Sequence, residues 1–269
     1  MLGFFSLRVI LFLYMEKENK QKQNSTYIYG KHALTEALLH TPEIIERVFL
    51  AKEVDDPAMR KILKDAKVNV SALGSDKKTI GVSDMTAHQG VIAKIKLDKL
   101  ILSYEDFINN LKITENTSLV ILGELEDPHN VGAIIRSAAA FGVSGVLIPQ
   151  HNQAPITGTV VKVSAGMAFR VPIVNVGNIN MTIKDLKDRG FWVYGLAGEA
   201  KQSISEEKYD RPSVFVLGNE SKGIREKTRE ACDVLVSIPM NLQCESLNVA
   251  ASTAVVLYEW SSQHPGALL

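Results

Sequence analysis

From Ser118 onward, six short apolar runs recur: LVILG, GVLIP, VPIVNV, FWVYGL, SVFVLG and DVLVSIP. Most are separated by stretches of helical spacing, such as VGAIIRSAAAFG, MTIKDLKDRG and LNVAASTAVVLYEW. This alternation is the strongest constraint on the fold. A run that is apolar at nearly every position suits a strand covered on both faces, and strands joined through helices favour a parallel sheet. The expected architecture is α/β with a mostly parallel sheet.

Upstream, residues 27–97 read as a separate, smaller α/β unit. YGKHALTEALLH and DDPAMRKILKDAK have helical spacing, whereas RVFLA, VNVSAL and GVIAKIKL read as strands. Residues 98–117, with one weak helical piece and a polar end, are expected to form a linker, and 118–261 the larger domain followed by a tail over 262–269. The opening MLGFFSLRVILFLYM is apolar but broken by Arg8, and a charged polar run, not a small-residue cleavage site, follows it. Residues 1–26 are therefore expected to be a disordered or mis-started extension with Met15 as the natural start, a signal or anchor being the alternative.

With 30 Lys+Arg against 30 Asp+Glu, no global field draws the chain to a polyanion, so a nucleic-acid site must be a local patch. Lys31, Arg60, Lys61 and Lys64 of the smaller unit are candidates for such a patch. Cys232 and Cys244 are the only cysteines, too few for a disulfide scaffold and without zinc-site spacing, which fits a reducing cytoplasm. No metal site is expected, and no apolar run reaches the roughly 18 residues of a membrane span.

A parallel α/β domain first suggests a nucleotide cofactor. Neither GxGxxG after the first strand nor GxxxxGK[ST] is present, so an ordinary dinucleotide or ATP site is not expected. Polar residues gather instead in three loops after expected strands, where open parallel sheets place ligands. In GELEDPHN, Asn130 is placed to cap the helix beginning at Val131, or to serve a site. Arg136 lies one turn beyond Gly132 and Ala133 and one turn before Ala140, on a face bare enough for a bulky ligand. A solvated arginine or a surface ion pair is the other reading. In LGNESKGI, Gly218 and Gly223 allow close backbone approach or unusual dihedrals around Glu220. In SIPMNLQCESLNVAAS, Ser246 reads as a helix N-cap and Asn248 as a first-turn residue in need of a hydrogen-bond partner.

In this order, DPHNVGAIIRSAAAFGV, FVLGNESKGI and IPMNLQCESLNVAAS resemble the three motifs of the SpoU-type (TrmH-like) RNA ribose 2'-O-methyltransferases. YGKHALTEALL and AHQGVIAKI resemble the small L30e-like substrate-binding domain of the branch that methylates a guanosine of 23S rRNA. The resemblance implies S-adenosylmethionine as methyl donor, RNA as partner, a homodimer, and a SPOUT-type catalytic domain threaded into a trefoil knot. It assigns Asn130, Arg136, Glu220, Ser246 and Asn248 to the catalytic set, and Leu217, Gly218, Ile238, Met240 and Leu247 to the donor pocket. Two positions depart from the pattern. Leu242 stands where relatives commonly have Gly, which bears on the shape of the donor loop, and Phe169 where many carry an acid, which bears on RNA contacts.

Transfer to a ribose hydroxyl is an in-line displacement at the sulfonium methyl, so donor and hydroxyl must be held in line while the oxygen loses its proton. Arginine stays protonated, which favours Arg136 as a phosphate clamp and alkoxide stabiliser and leaves its role as base open. The expected alternatives are a tRNA ribose methyltransferase, a non-catalytic RNA-binding relative, and a nucleotide-cofactor oxidoreductase.

Overall fold

The computed structural model describes residues 25–52, 54, 56–73 and 88–269, divided into two compact units that meet at Leu100 and Ile101. The expected extension lies outside the described residues except for Ser25 and Thr26, which open the first strand.

The first unit holds β1 (Ser25–Tyr29), α1 (Lys31–His40), β2 (Ile45–Leu50), α2 (Pro57–Asp65), β3 (Val70–Ala72) and β4 (Val91–Lys96). Its sheet runs β1-β4-β2-β3, antiparallel except for the β2/β3 pair. Ile28, Leu34, Ala37, Ile44, Val48, Ile92 and Ile95 form its core. Helix α2 starts where Asp56 accepts from Met59 N at 3.1 Å, and Pro57 supplies a first-turn residue with no amide hydrogen to orphan. That amide bond, with help from Lys31 at 3.6 Å, holds the Asp56 carboxyl below its usual range. Lys31 thus has an acidic partner, whereas Lys61 and Lys64 stand exposed on α2.

The second unit holds β5 (Ile101–Ser103), α3 (Tyr104–Asn110), β6 (Ser118–Ile121), α4 (Pro128–Ala140), β7 (Gly145–Pro149), α5 (Gly158–Val163) and β8 (Ile173–Val176). It continues through α6 (Ile179–Asp188), β9 (Trp192–Leu196), β10 (Gln202–Ser203), β11 (Ser213–Val216), α7 (Glu226–Ala231), β12 (Val234–Ser237) and α8 (Val249–Gln263). Its eight strands are ordered β10-β12-β9-β11-β6-β7-β8-β5, and every pairing is parallel. Both faces are covered, which explains why β6, β7 and β11 are buried at every position and read as unbroken apolar runs. From β6 the chain moves to β7 and β8 on one side, then lays β9, β11 and β12 on the other. The order therefore reverses between β6 and β11, and the crevice at the carboxyl ends of these strands is the place such sheets offer a ligand.

The segment expected to be a linker is largely folded. β5 pairs with β8 at the sheet edge, and Phe107 and Ile108 of α3 are buried among Leu119, Ile121, Leu147 and Val174. Ser103 caps α3 by accepting from Asp106 N at 3.1 Å, and Tyr104 Oη donates to Asp185 Oδ2 at 2.6 Å. Burial, followed by that carboxylate, pushes the Tyr104 hydroxyl pKa up. The segment's polar sequence hid an amphipathic turn whose apolar side is only two or three residues wide. Phe107→Ala is expected to destabilise the second unit by about 3 kcal/mol, since the ring fills space beside Gly145 that neighbours cannot close. Thermal melting measures it, and a melting temperature unchanged to within about 1 °C would return the segment to a linker role.

Candidate active site

Three loops meet at the reversal of strand order, and their backbones touch. A Cβ on Gly123, after β6, would lie 2.1 Å from Leu217 O, and one on Gly218, after β11, would lie 2.3 Å from the Gly223 carbonyl carbon. Gly218 is therefore glycine because two backbones pass there. Gly223 has φ 64°, which closes the turn from Asn219 through reciprocal backbone bonds of 3.0 and 2.9 Å.

Helix α4 is capped by Asp127, which accepts from His129 N at 2.8 Å, with Pro128 at the first helical position. Asn130 is therefore inside the first turn and is not the cap expected from the sequence. Its side chain points out of the helix to two partners. Likewise α8 is capped by Asn248 and not by Ser246: Asn248 Oδ1 accepts from Ala250 N at 2.9 Å and Ala251 N at 3.3 Å.

That cap orients a chain of amides. With Oδ1 of Asn248 committed to helix amides, its Nδ2 is left to donate to Asn130 Oδ1, at 2.9 Å. Asn130 Nδ2 must then face an acceptor, and donates to Glu220 Oε1 at 3.1 Å. Glu220 also accepts, at 3.4 Å each, from Glu126 N and Asp127 N just ahead of α4, where the positive end of a helix favours a carboxylate. One direction of donation thus runs from the start of α8 to the Glu220 carboxylate.

Beside this chain lies a cavity of about 630 Å³. Asn130, Glu220, Ser246 and Asn248 line it, as do Leu217, Gly218, Ile238, Met240 and Leu247, so nine of the ten expected site residues are brought together. Arg136 is the exception. It lies exposed on α4, away from the cavity lining, and forms no hydrogen bond or ion pair among the described residues. The bare helix face beside it is not open space at Gly132: a Cβ there would meet Val163 Cβ at 2.7 Å and Val160 O at 2.9 Å. Gly132 lets α5 approach α4 closely, which corrects the expectation of room for a ligand. Phe169, weighed as an RNA contact, is buried, and Leu242 is fully exposed and points clear of the cavity.

Sequence reasoning missed Leu196, Ala197 and Gly198, which line the cavity after β9, together with Glu126, Asp127, Asn219 and Glu245. The strand FWVYGL was legible, and its carboxyl end adjoins the same crevice; that was the available signal. Among the described residues the lining includes Glu126, Asp127, Glu220 and Glu245 and no Lys, Arg or His, alongside Leu196, Leu217, Val236, Ile238, Met240 and Leu247. Such a set suits a ligand that is apolar in part and cationic in part, and it disfavours a phosphate-bearing one. S-adenosylmethionine, with a sulfonium and an ammonium, fits. Cys232 offers no competing nucleophile, because burial pushes its thiol up to about 12.

A parallel sheet with its crevice ringed by three such loops is the arrangement expected of an S-adenosylmethionine-dependent RNA ribose methyltransferase. Residues 117–258 match the SpoU rRNA Methylase family, and residues 27–100 match the RNA 2'-O ribose methyltransferase substrate binding domain. The chain belongs to the SpoU rRNA methylase family. It is 37% identical to the 23S rRNA (guanosine-2'-O-)-methyltransferase RlmB of Nitrosomonas europaea, over 90% of this chain and 93% of that protein. To RlmB of Shewanella oneidensis it is also 37% identical, over 86% of this chain and 95% of that protein. In fold it is similar to the SpoU methyltransferase AviRb from Streptomyces viridochromogenes, with TM-score 0.78, 21% identity and 93% of each chain covered. It is similarly related to the AdoMet-bound rRNA methyltransferase from Sinorhizobium meliloti, with TM-score 0.76, 22% identity, and 92% of this chain and 90% of that one covered.

Asn248→Asp separates the cap from the amide chain. Aspartate still caps α8, so stability should change by less than about 1 kcal/mol, but it cannot donate to Asn130. Methyl transfer is expected to fall about 10-fold to 100-fold, the cost of a small misplacement of Asn130 once a carboxylate faces its Oδ1. Melting and rate measurements on one preparation decide this, and an undiminished rate would remove the Asn248–Asn130 bond from function.

Proposed function

We propose that this enzyme methylates the 2'-hydroxyl of a guanosine in 23S rRNA, in the cytoplasm and as a homodimer. The observation that carries the reading is the amide chain from α8 through Asn248 and Asn130 to Glu220, set against a cavity lined by carboxylates and no cation. The rRNA target is supported by the names of the relatives in Nitrosomonas and Shewanella, which match over nearly their whole length.

In this reading Leu217, Gly218, Ile238, Met240 and Leu247 would hold S-adenosylmethionine in the cavity, where it would supply an electrophilic methyl group. The chain's own residues then position the ribose. Asn130 and Asn248 are held in a fixed orientation by Glu220 and by the α8 amides, so they need not reorganise when the hydroxyl arrives. Ser246 lines the cavity with no hydrogen bond among the described residues, which leaves its hydroxyl free for substrate. Arg136 clamps an RNA phosphate, which takes up the proton of the ribose hydroxyl, and steadies the oxygen as it attacks the methyl group and the sulfonium leaves as a neutral thioether.

Because Arg136 stands outside the cavity of its own chain, a second copy is the natural source of its completed setting. Val255 and Tyr258 are exposed on α8, and Tyr258 packs edge-on to Phe141 at the end of α4, an apolar surface continuous with the helix that bears Arg136. The family's trefoil knot belongs to the same proposal, and so does a division of labour. The first unit selects RNA through exposed bases such as Lys61 and Lys64, so that binding weakens with salt.

Two tests address this reading. Ribose-methylation mapping of rRNA from a strain lacking the gene should show one unmodified guanosine in 23S rRNA, restored by the gene; a lost mark in tRNA alone would overturn the target. Arg136→Lys keeps the charge but loses the planar fork, so a clamp predicts a rate loss on the order of 100-fold with donor affinity unchanged. Near-normal turnover in the Lys variant would reduce Arg136 to a point charge.

A further inference from the structure

Glu124, in the loop between β6 and α4, has φ 62°, a left-handed conformation unusual for a residue with a side chain. Such a conformation costs about 1–2 kcal/mol and persists where neighbours impose it. Two groups from the β11 loop do so. Asn219 Nδ2 donates to Glu124 O at 2.8 Å, and Arg225 pairs with the Glu124 carboxylate. Arg225 is two-thirds exposed, so its pair contributes little in water. The Asn219 bond is the firmer hold.

The Asn219 side chain is itself pinned. Its Oδ1 accepts from Ser221 N at 3.0 Å and Lys222 N at 3.2 Å, which fixes the amide plane and directs Nδ2 across the gap. The same Nδ2 lies 3.4 Å from Glu220 Oε2. One amide therefore ties the loop that carries Glu220 to the loop that leads into Asn130.

We propose that Asn219 is a positioning residue for methyl transfer. Although it lines the cavity, its side-chain amide is spent within the two loops. Asn219 acts through Glu220 and Asn130, holding the two loops at the separation at which those side chains meet at 3.1 Å. Without it, Glu124 loses the partner of its carbonyl, the β6 loop relaxes from its left-handed turn, and Asn130 drifts from Glu220. The donor contacts proposed above, from the apolar side chains of Leu217, Ile238, Met240 and Leu247, do not involve the Asn219 amide, which is held by Glu124, Ser221 and Lys222.

The inference rests on the active-site roles proposed above, and its test uses any RNA that the wild-type enzyme methylates, so an error in the RNA target leaves it intact. Asn219→Asp is isosteric and keeps both acceptor contacts to Ser221 and Lys222. It removes the donor and sets a carboxylate against Glu124 O and Glu220. Single-turnover transfer at saturating donor and RNA is expected to fall on the order of 10-fold to 100-fold, the cost of a small misplacement. The donor Kd by calorimetry should stay within about threefold. A lesion that merely loosened the fold would weaken donor binding in parallel with the rate. A rate within about twofold of wild type, or a parallel loss of rate and donor affinity, would each overturn the proposal. Should Asn219→Asp fail to fold, Asn219→Ser is read for rate and donor affinity in the same assays, since its hydroxyl can close the turn but not also reach Glu124. A wild-type enzyme inactive on every RNA would instead point to the functional reading.

Discussion

The first turn of α8 sets the direction of the side-chain hydrogen bonds that run from Asn248 through Asn130 to Glu220. Its free amides claim the Asn248 carbonyl oxygen, and from that single commitment the orientations of Asn248 and Asn130 follow, ending on Glu220. A helix terminus must find acceptors for its amides in any case. Here the acceptor is also a donor to the next residue, so a requirement of secondary structure becomes a preorganised polar array. Reversing either amide would place two donors or two acceptors face to face, which explains why an amide and not a carboxylate suits these positions.

The sheet makes that array possible. Reversal of strand order between β6 and β11 leaves a crevice at their carboxyl ends, and the cavity-lining loops follow β6, β9, β11 and β12. Close backbone passage at Gly123 and Gly218 brings the β6 and β11 loops together. The carboxylates then serve two purposes. Glu220 terminates the amide chain, while Glu126, Asp127 and Glu245 give a cation-free wall suited to a donor that carries positive charge. Arg136, the cation expected from the sequence to meet a phosphate, stands outside the cavity, apart from these carboxylates.

Much of this was legible in the sequence. Fully apolar runs announced a doubly covered parallel sheet, because burial on both faces removes the period-two signal of a half-exposed strand. The three polar loops at strand ends do converge on one cavity, and so do nine of the ten residues that the family resemblance assigned. Local chemistry made the loops legible: caps, glycines and polar turns are specified within a few residues of one another.

What the sequence could not settle were matters decided by distant partners. Whether Asn130 or Asp127 caps α4, and Ser246 or Asn248 caps α8, depends on which side chain is drawn away, and Asn130 is drawn by residues 90 and 118 positions along the chain. The small residues near Arg136 looked like room for a ligand, but α5 fills the space at Gly132. Segment 98–117 read as a linker because its apolar residues are few, yet Phe107 completes a core built from β6, β7 and β8. The sequence by itself determined the elements, their parallel pairing and the loops that carry the chemistry, since these follow from local periodicity and turn residues. Only the tertiary structure decided the direction of the amide chain, the cation-free character of the cavity and the placement of Arg136 outside it, because each depends on which side chains from separate loops come within hydrogen-bonding reach.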